Sequence, residues 1–411
     1  MAAPRRICVV GGGIIGSSTA FFLARLAQAR ALPVEITLVE GSSVAAGASG
    51  KAGGLLALDW HGPATASLAA LSYRTHADLA AEFGGAQRWG YRQLDTLSIS
   101  ADCSGAKAAR TRKLKGSDLF PWLNQDLVTG SDVLGTTDST AQVHPEQFTT
   151  ALVDEAKKLG VQLVYGTVDG LEQQQSGDAP YTLHITPLET TDPSPPRDAN
   201  TPVRVSASRD CPSSLSADQV VIAAGPWTGE LLKRLGLGRT AGRAKAIRGS
   251  RAHSVVIRPP KGKELPAQAL FTSIKEKRGH AEPEIYNRPD GTSYACGPSD
   301  GSPLPTHASV VTVDDSAISS LLAQTAQLSP SHLSPEEGAT VERRQACYLP
   351  VGSGDPVLGR VDGEEGKPSG VYVASGHSCW GICNGPGTGV VMAELLLDGK
   401  TSSADIDELL P

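Results

Sequence analysis

Ile7-Cys8-Val9-Val10 runs directly into Gly11-Gly12-Gly13-Ile14-Ile15-Gly16 and then into a helical pattern that begins Ser17-Ser18-Thr19-Ala20-Phe21-Phe22. Strand, GxGxxG and helix in that order build an anion site. The glycines let backbone N–H groups approach a pyrophosphate, and the helix N-terminus adds about half a positive charge. Among 45 glycines the hexapeptide alone is weak, so its surroundings decide. The next strand, Val34-Glu35-Ile36-Thr37-Leu38-Val39, ends at Glu40. A carboxylate there accepts hydrogen bonds from ribose hydroxyls and repels a 2′-phosphate, which favours FAD or NAD over NADP.

A chain of 411 residues with 40% hydrophobic composition is long enough for two domains and a large core. Its net charge of −6 argues against nucleic acid or an anionic membrane as a partner. The single basic stretch, from Lys107 to Lys115 with Arg110 and Arg112, reads as a solvated loop. No apolar run approaches the roughly 18 residues of a membrane span, and the first strand starts too early for a cleavable signal peptide. The terminal Asp407-Glu408-Leu409-Leu410-Pro411 is no peroxisomal address, so the expected compartment is the cytoplasm. Seven cysteines without a CxxC pair read as reduced thiols, and no cluster suggests a bound metal.

Along the chain, 64–84 has helical periodicity, 89–100 reads as strands, and Pro145 opens a helix that Gly160 closes before the strand Val161-Gln162-Leu163-Val164-Tyr165. Residues 187–218, rich in Pro, Ser, Thr and Asp, read as an extended exposed loop. Val220-Val221-Ile222-Ala223-Ala224-Gly225 is a buried strand ending in a glycine turn, 246–299 is mostly β, and 312–328 is helical. The stretch from Ala45 to Leu58 lacks the periodicity of a surface helix, and its glycines at 47, 50, 53 and 54 suit close approach of a flat group. The closing Gly376-His377-Ser378-Cys379-Trp380-Gly381 turn again leads from strand to helix, and the glycines flanking His377 give that histidine a role in the turn.

Five segments in this order, GGGIIGSSTAFFLA from Gly11, LVEGSSVAAGASGKAGGLLA from Leu38, VVIAAGPWTGELL from Val220, CYLPVGSGDPVLGR from Cys347 and VASGHSCWGICNGPGTG from Val373, resemble the D-amino-acid oxidase superfamily of FAD-dependent oxidoreductases. Glycine oxidase and sarcosine oxidase are members, and the closing segment is most similar to a subgroup of fungal and plant oxidoreductases. The resemblance implies an α/β fold in which a Rossmann-like FAD-binding domain (1–60, 138–246 and 340–411) is interleaved with an α+β substrate domain (61–137 and 247–339) built on a mainly antiparallel sheet. It places the adenosine diphosphate part of FAD on Gly11, Gly13, Ile14, Ile15, Gly16, Glu40 and Gly41, with Val168 beside adenine. The flavin ring lies along Ser49, Gly50, Lys51, Ala52, Gly53, Gly54 and Leu55. Ala224, Gly225 and Trp227 flank the cofactor, and Cys379, Trp380, Gly381, Ile382 and Cys383 meet its pyrimidine edge.

The implied chemistry is hydride transfer from the carbon next to an amine nitrogen to flavin N5, giving an imine, with molecular oxygen as acceptor and hydrogen peroxide as product. Lys51 is the expected cation near N5 and Trp380 its catalytic companion. Trp60, Tyr286 and Trp380 are candidates for the wall of the amine pocket, and Arg248, Arg251 or Arg288 for a carboxylate grip. Cys347 aligns with a cysteine that some relatives bond covalently to flavin; a buried inert thiol is the alternative. The sequence departs from its relatives at Leu349, Gly54 and Cys383, where they carry basic anchors for a substrate carboxylate. Two other readings stay open: a dehydrogenase with a non-oxygen acceptor, and a flavin-binding assembly protein without turnover. Oligomeric state is open.

Overall fold

The computed structural model describes residues 3–105, 120–174, 180–187, 189–190, 205–207, 211–362 and 368–411; the basic stretch from Lys107 to Lys115 lies outside them. The first strand, Arg5–Val10, pairs in parallel with Val34–Glu40 on one side and Gln219–Ile222 on the other. It is covered on both faces, which is why it is apolar without alternation. Ile7 and Val9 enter one core with the helix Ile14–Ala29, and Cys8 and Val10 enter another.

The eight-stranded sheet runs Ser214–Ala217, Tyr181–Pro187, Gln162–Gln173, Val34–Glu40, Arg5–Val10, Gln219–Ile222, Pro368–Ser375, Val357–Asp362. Its five central strands, from Gln162–Gln173 to Pro368–Ser375, are parallel and its margins antiparallel. The reading of 187–218 as one exposed loop is corrected here. Glu189–Thr190 pairs with Val205–Ala207, and Ser214–Ala217 pairs with Tyr181–Pro187. Edge pairing satisfies the backbone whatever the composition, and four residues are too few to show a period; residues 188, 191–204 and 208–210 lie outside those described.

A second sheet runs Thr340–Val351, Arg248–Arg258, Ser293–Asp300, Glu284–Asn287, Gln268–Lys275, Asp95–Asp102, Val128–Gly135, with His280–Ala281 beside Gln268–Lys275. All its pairings are antiparallel except Gln268–Lys275 with Asp95–Asp102. Alternation gives it two faces. Ile257, Leu270, Ile285 and Ala295 pack with Ile318, Leu321 and Leu328 of the helix Asp315–Leu328, whereas Val256, Ala269, Tyr286 and Tyr294 face Leu55.

The closing helix, Gly381–Asp398, packs on Ile14–Ala29 and on Pro63–Phe83. Its glycines serve that packing, since a Cβ at Gly385 would lie 2.5 Å from Ile14 and one at Gly389 2.6 Å from the backbone of Ser18. Pro386 inside this helix has no N–H for the Ile382 carbonyl. His76 Nε2 donates to that carbonyl at 2.9 Å instead. Ser72 Oγ donates to the Cys383 carbonyl at 2.6 Å and accepts from the Gly387 N–H at 2.9 Å.

His76 and His377 are both buried, His377 holding Thr388 Oγ1 at 2.9 Å. Burial pushes their pKa down to about 4 and about 3, offset at His76 by hydrogen bonds to the helix carbonyls. The unfolded chain binds protons on these imidazoles near pH 6.5, so their contribution is complete above that pH and lost as pH falls toward 4. The expected loss is about 1.4 kcal/mol per pH unit per group within that window. Thermal unfolding followed by circular dichroism should show Tm falling from pH 6.5 to 4.5, with a shallower slope in His377→Gln.

Candidate active site

The turn between the first strand and first helix is fixed by contacts that exclude side chains. Gly11 has φ +113°, and a Cβ there would lie 2.4 Å from the Ala223 carbonyl oxygen; at Gly16 it would lie 1.9 Å from that of Gly11. Glu40 pins the turn from outside: its Oε2 accepts from Gly12 N–H at 2.6 Å and its Oε1 from Ser42 N–H at 2.7 Å. Burial raises the pKa of this carboxyl, and the bonds from Gly12 and Ser42 oppose the rise. Ser42 Oγ also donates to it at 3.2 Å, leaving about one of roughly four lone-pair positions for a ribose hydroxyl. Ser49 Oγ accepts from Ile14 N–H at 2.9 Å, joining the turn to the segment 48–55.

A cleft opens over this turn at the ends of the parallel strands. It encloses about 1380 Å³, a figure that includes the open solvent at its mouth. Gly11, Gly13, Ile14, Ile15, Glu40 and Gly41 line one part. Ser49 and Ala52, then Val168, Ala224, Gly225 and Trp227, line others. Cys379, Gly381 and Ile382 close the far wall with the N-terminus of the long closing helix.

Gly16, Gly50, Lys51, Gly53, Gly54, Leu55, Trp380 and Cys383 do not line it. Three of the glycines answer to the protein itself. A Cβ at Gly50 would meet the Ala45 carbonyl at 2.3 Å, at Gly53 the Tyr286 ring at 2.4 Å, and at Gly54 the Val143 carbonyl at 2.1 Å. Trp380 instead faces the His61 ring, with centroids 4.3 Å apart. Cys383 is buried, its thiol 3.8 Å from His61 Nε2.

Lys51 turns away from solvent, its Nζ donating to the Ala346 carbonyl at 2.9 Å. Burial lowers its pKa, while Cys347 and Glu146 pull it back up. Tyr294 Oη donates to the Lys51 carbonyl at 2.9 Å, and Arg288 donates to that of Ala52 at 3.2 Å. Arg288 is buried over the Tyr294 ring, 5.0 Å from its centroid, with Nε unbonded. Arg248 is exposed at the start of its strand, away from the cleft, and Arg251 pairs with Asp300 at 3.0 Å. Trp60 packs on Phe271 at 5.5 Å, and Phe271 on Tyr286 at 6.1 Å. Cys347 is buried outside the cleft wall, its thiol pushed up to about 11 by burial against the pull of Lys51.

A family model described as FAD dependent oxidoreductase matches residues 6–395. The chain belongs to this family. FAD is its cofactor, and the glycine cradle with Glu40 at its edge fits the adenosine diphosphate half of that molecule. Over 415 residues the chain is 38% identical to a Schizosaccharomyces pombe protein named as a candidate oxidoreductase, covering 100% of this chain and 99% of that one. Glycine oxidase from Geobacillus kaustophilus shares the Rossmann-like fold at 21% identity and TM-score 0.71, over 99% of this chain and 98% of that one. L-proline dehydrogenase from P. horikoshii does so at 19% identity and TM-score 0.70, over 100% and 98%.

The FAD-family cleft also has walls that sequence reading missed. Arg234 lies two turns after Trp227 on the same helix face, a spacing that was readable. Thr306 and His307 gave no local signal; they arrive because Trp227 Nε1 donates to the Pro305 carbonyl at 2.6 Å. Leu349 and Pro350 line the cleft too, so an apolar side chain stands on its wall where the resemblance leads one to look for an arginine. With Cys347 buried off the wall, acid precipitation of the purified protein should leave the yellow colour in the supernatant, and Cys347→Ser should not change the flavin content.

Proposed function

We propose that this FAD-family protein oxidises a C–N bond of a small amine or amino-acid-like substrate to an imine, with oxygen as acceptor and hydrogen peroxide as product. The observation that carries the reading is the junction at Ala52 and Cys379. There the cleft wall adjoins the face of the antiparallel sheet that bears Tyr286 and Tyr294. Fold neighbours named for amine oxidation, glycine oxidase and iminodiacetate oxidase, support it. The interleaved domain division belongs to the same proposal, since strands from 1–60, 138–246 and 340–411 all enter the parallel sheet.

Bound FAD supplies a two-electron hydride acceptor at flavin N5. Gly11, Gly13, Ile14, Ile15 and Glu40 hold the adenosine diphosphate end, with Gly16 shaping the turn and Val168 beside adenine. Ser49 and Ala52, on the cleft wall, would hold the flavin end of the cofactor. Trp227 and the closing turn exclude water, and the helix N-terminus at Gly381–Ile382 stabilises negative charge. The substrate amine reacts in its neutral form, any ammonium proton passing to solvent first; its C–H pair leaves as hydride, and an N–H proton goes to solvent as the imine forms. Water then hydrolyses the imine.

Lys51 supplies the cation that favours oxygen reduction, a role supported by its place in the chain beside the cleft residue Ala52, with its ammonium buried on the Ala346 carbonyl. An anaerobic absorbance screen against primary, secondary and tertiary amines and amino acids tests the reaction. Bleaching of the flavin by at least one is expected, and none bleaching overturns the reading. Peroxide release under air checks the acceptor. Lys51→Met should slow reoxidation by oxygen at least about tenfold in stopped flow, with anaerobic reduction changed less than twofold.

A further inference from the structure

Strand pairing sets Phe271, Glu284 and Cys296 in one cross-strand row and Ala269, Tyr286 and Tyr294 in the next. Both rows lie on the sheet face toward Leu55, opposite the apolar face under Asp315–Leu328. Tyr286 Oη donates to Glu284 Oε2, and Cys296 Sγ approaches the same oxygen at 3.7 Å. Burial, then the Glu284 carboxylate, holds the Tyr286 phenol well above its ordinary pKa, so it stays a donor. Among the described residues no lysine, arginine or histidine forms an ion pair with Glu284.

Aromatic rings frame this half-buried carboxylate. Phe271 is its register partner, with Trp60 at 5.5 Å from Phe271 and Tyr286 at 6.1 Å on another side. Trp60 adjoins His61, which packs on Trp380 of the closing turn. That turn also brings Cys379, a residue of the cleft wall, near enough for Glu284 to raise its thiol pKa further after burial has done so. The row and the cofactor cleft therefore meet.

A carboxylate with no ion-pair partner among the described residues, beside aromatic rings, recognises an ammonium group: it supplies the opposite charge and the rings supply cation–π attraction. Of the candidate positions for a carboxylate grip, one is apolar and one is engaged. Leu349 is apolar, and Arg288 is already turned to the Ala52 carbonyl and the Tyr294 ring. We propose that Glu284, with Trp60 and Phe271, is the recognition point for an ammonium group, and that the substrate is a cationic amine lacking a carboxylate. The inference rests on the amine-oxidation reading for its substrate, but the recognition can be tested without turnover.

Calorimetric titration of the flavin-loaded full chain with benzyltrimethylammonium and with benzoate compares a cation and an anion that share one ring. The cation is expected to bind at least tenfold tighter. Glu284→Gln, which still accepts from Tyr286 and Cys296, should weaken the cation at least tenfold and leave benzoate within twofold, and Phe271→Leu should weaken the cation as well. Tighter benzoate, no binding of the cation, or a cation affinity unchanged in Glu284→Gln overturns the proposal. Glu284-dependent binding with no amine bleaching the flavin overturns the reaction but not the recognition. Bleaching by amino acids without Glu284 dependence does the reverse.

Discussion

The functional centre depends on how the segment 48–55 is tied between two sheets. Its N-terminal end is joined to the phosphate-binding turn by Ser49, and its middle is held by Tyr294 and Arg288 at two successive carbonyls, with the Lys51 ammonium on the Ala346 carbonyl beneath. Each bond reaches across from a different element. A shift of the antiparallel sheet therefore shifts the cleft wall at Ala52. These are bonds to charged or buried groups, worth about 1.5–3 kcal/mol each where charge is involved.

The burial of Arg288 follows from the same arrangement. A guanidinium taken out of water needs compensation, and here it comes from a backbone carbonyl and the Tyr294 ring, with Asp290 and Glu146 contributing charge. On the same sheet face the carboxylate of Glu284 has phenol and thiol donors and, among the described residues, no ion-pair partner. That face thus carries a buried cation held by a backbone carbonyl and a ring, and a half-buried anion held by a phenol and a thiol.

Much of the glycine turn and its acidic edge was legible because it is local. Gly11, Gly16 and Glu40 sit within one βαβ unit: the positive φ of Gly11 and the approach of Gly16 to the Gly11 carbonyl ask for glycine, and Glu40 bonds the turn through its side chain. The glycines of 48–55 were legible as unusual but not for their reason: Gly50, Gly53 and Gly54 make room for Ala45, Tyr286 and Val143. The closing glycines were likewise readable as a turn, whereas Gly385 and Gly389 are helix-packing contacts. Apart from Ala45, five residues before Gly50, the neighbours that supply these reasons are distant in sequence, so no short window of residues could contain them.

The sequence by itself determined the βαβ cradle, the acidic residue at its edge and the family, since each is written in short ordered motifs. Only the tertiary structure decided where Lys51 points, which carbonyls Arg288 and Tyr294 hold, and that Thr306, His307 and Leu349 reach the cleft wall. The physical reason is that backbone hydrogen bonding and chirality specify local elements. The surroundings of a buried charge are set by strand register and by how two sheets meet, which involves pairs of residues as far apart as Lys51 and Ala346.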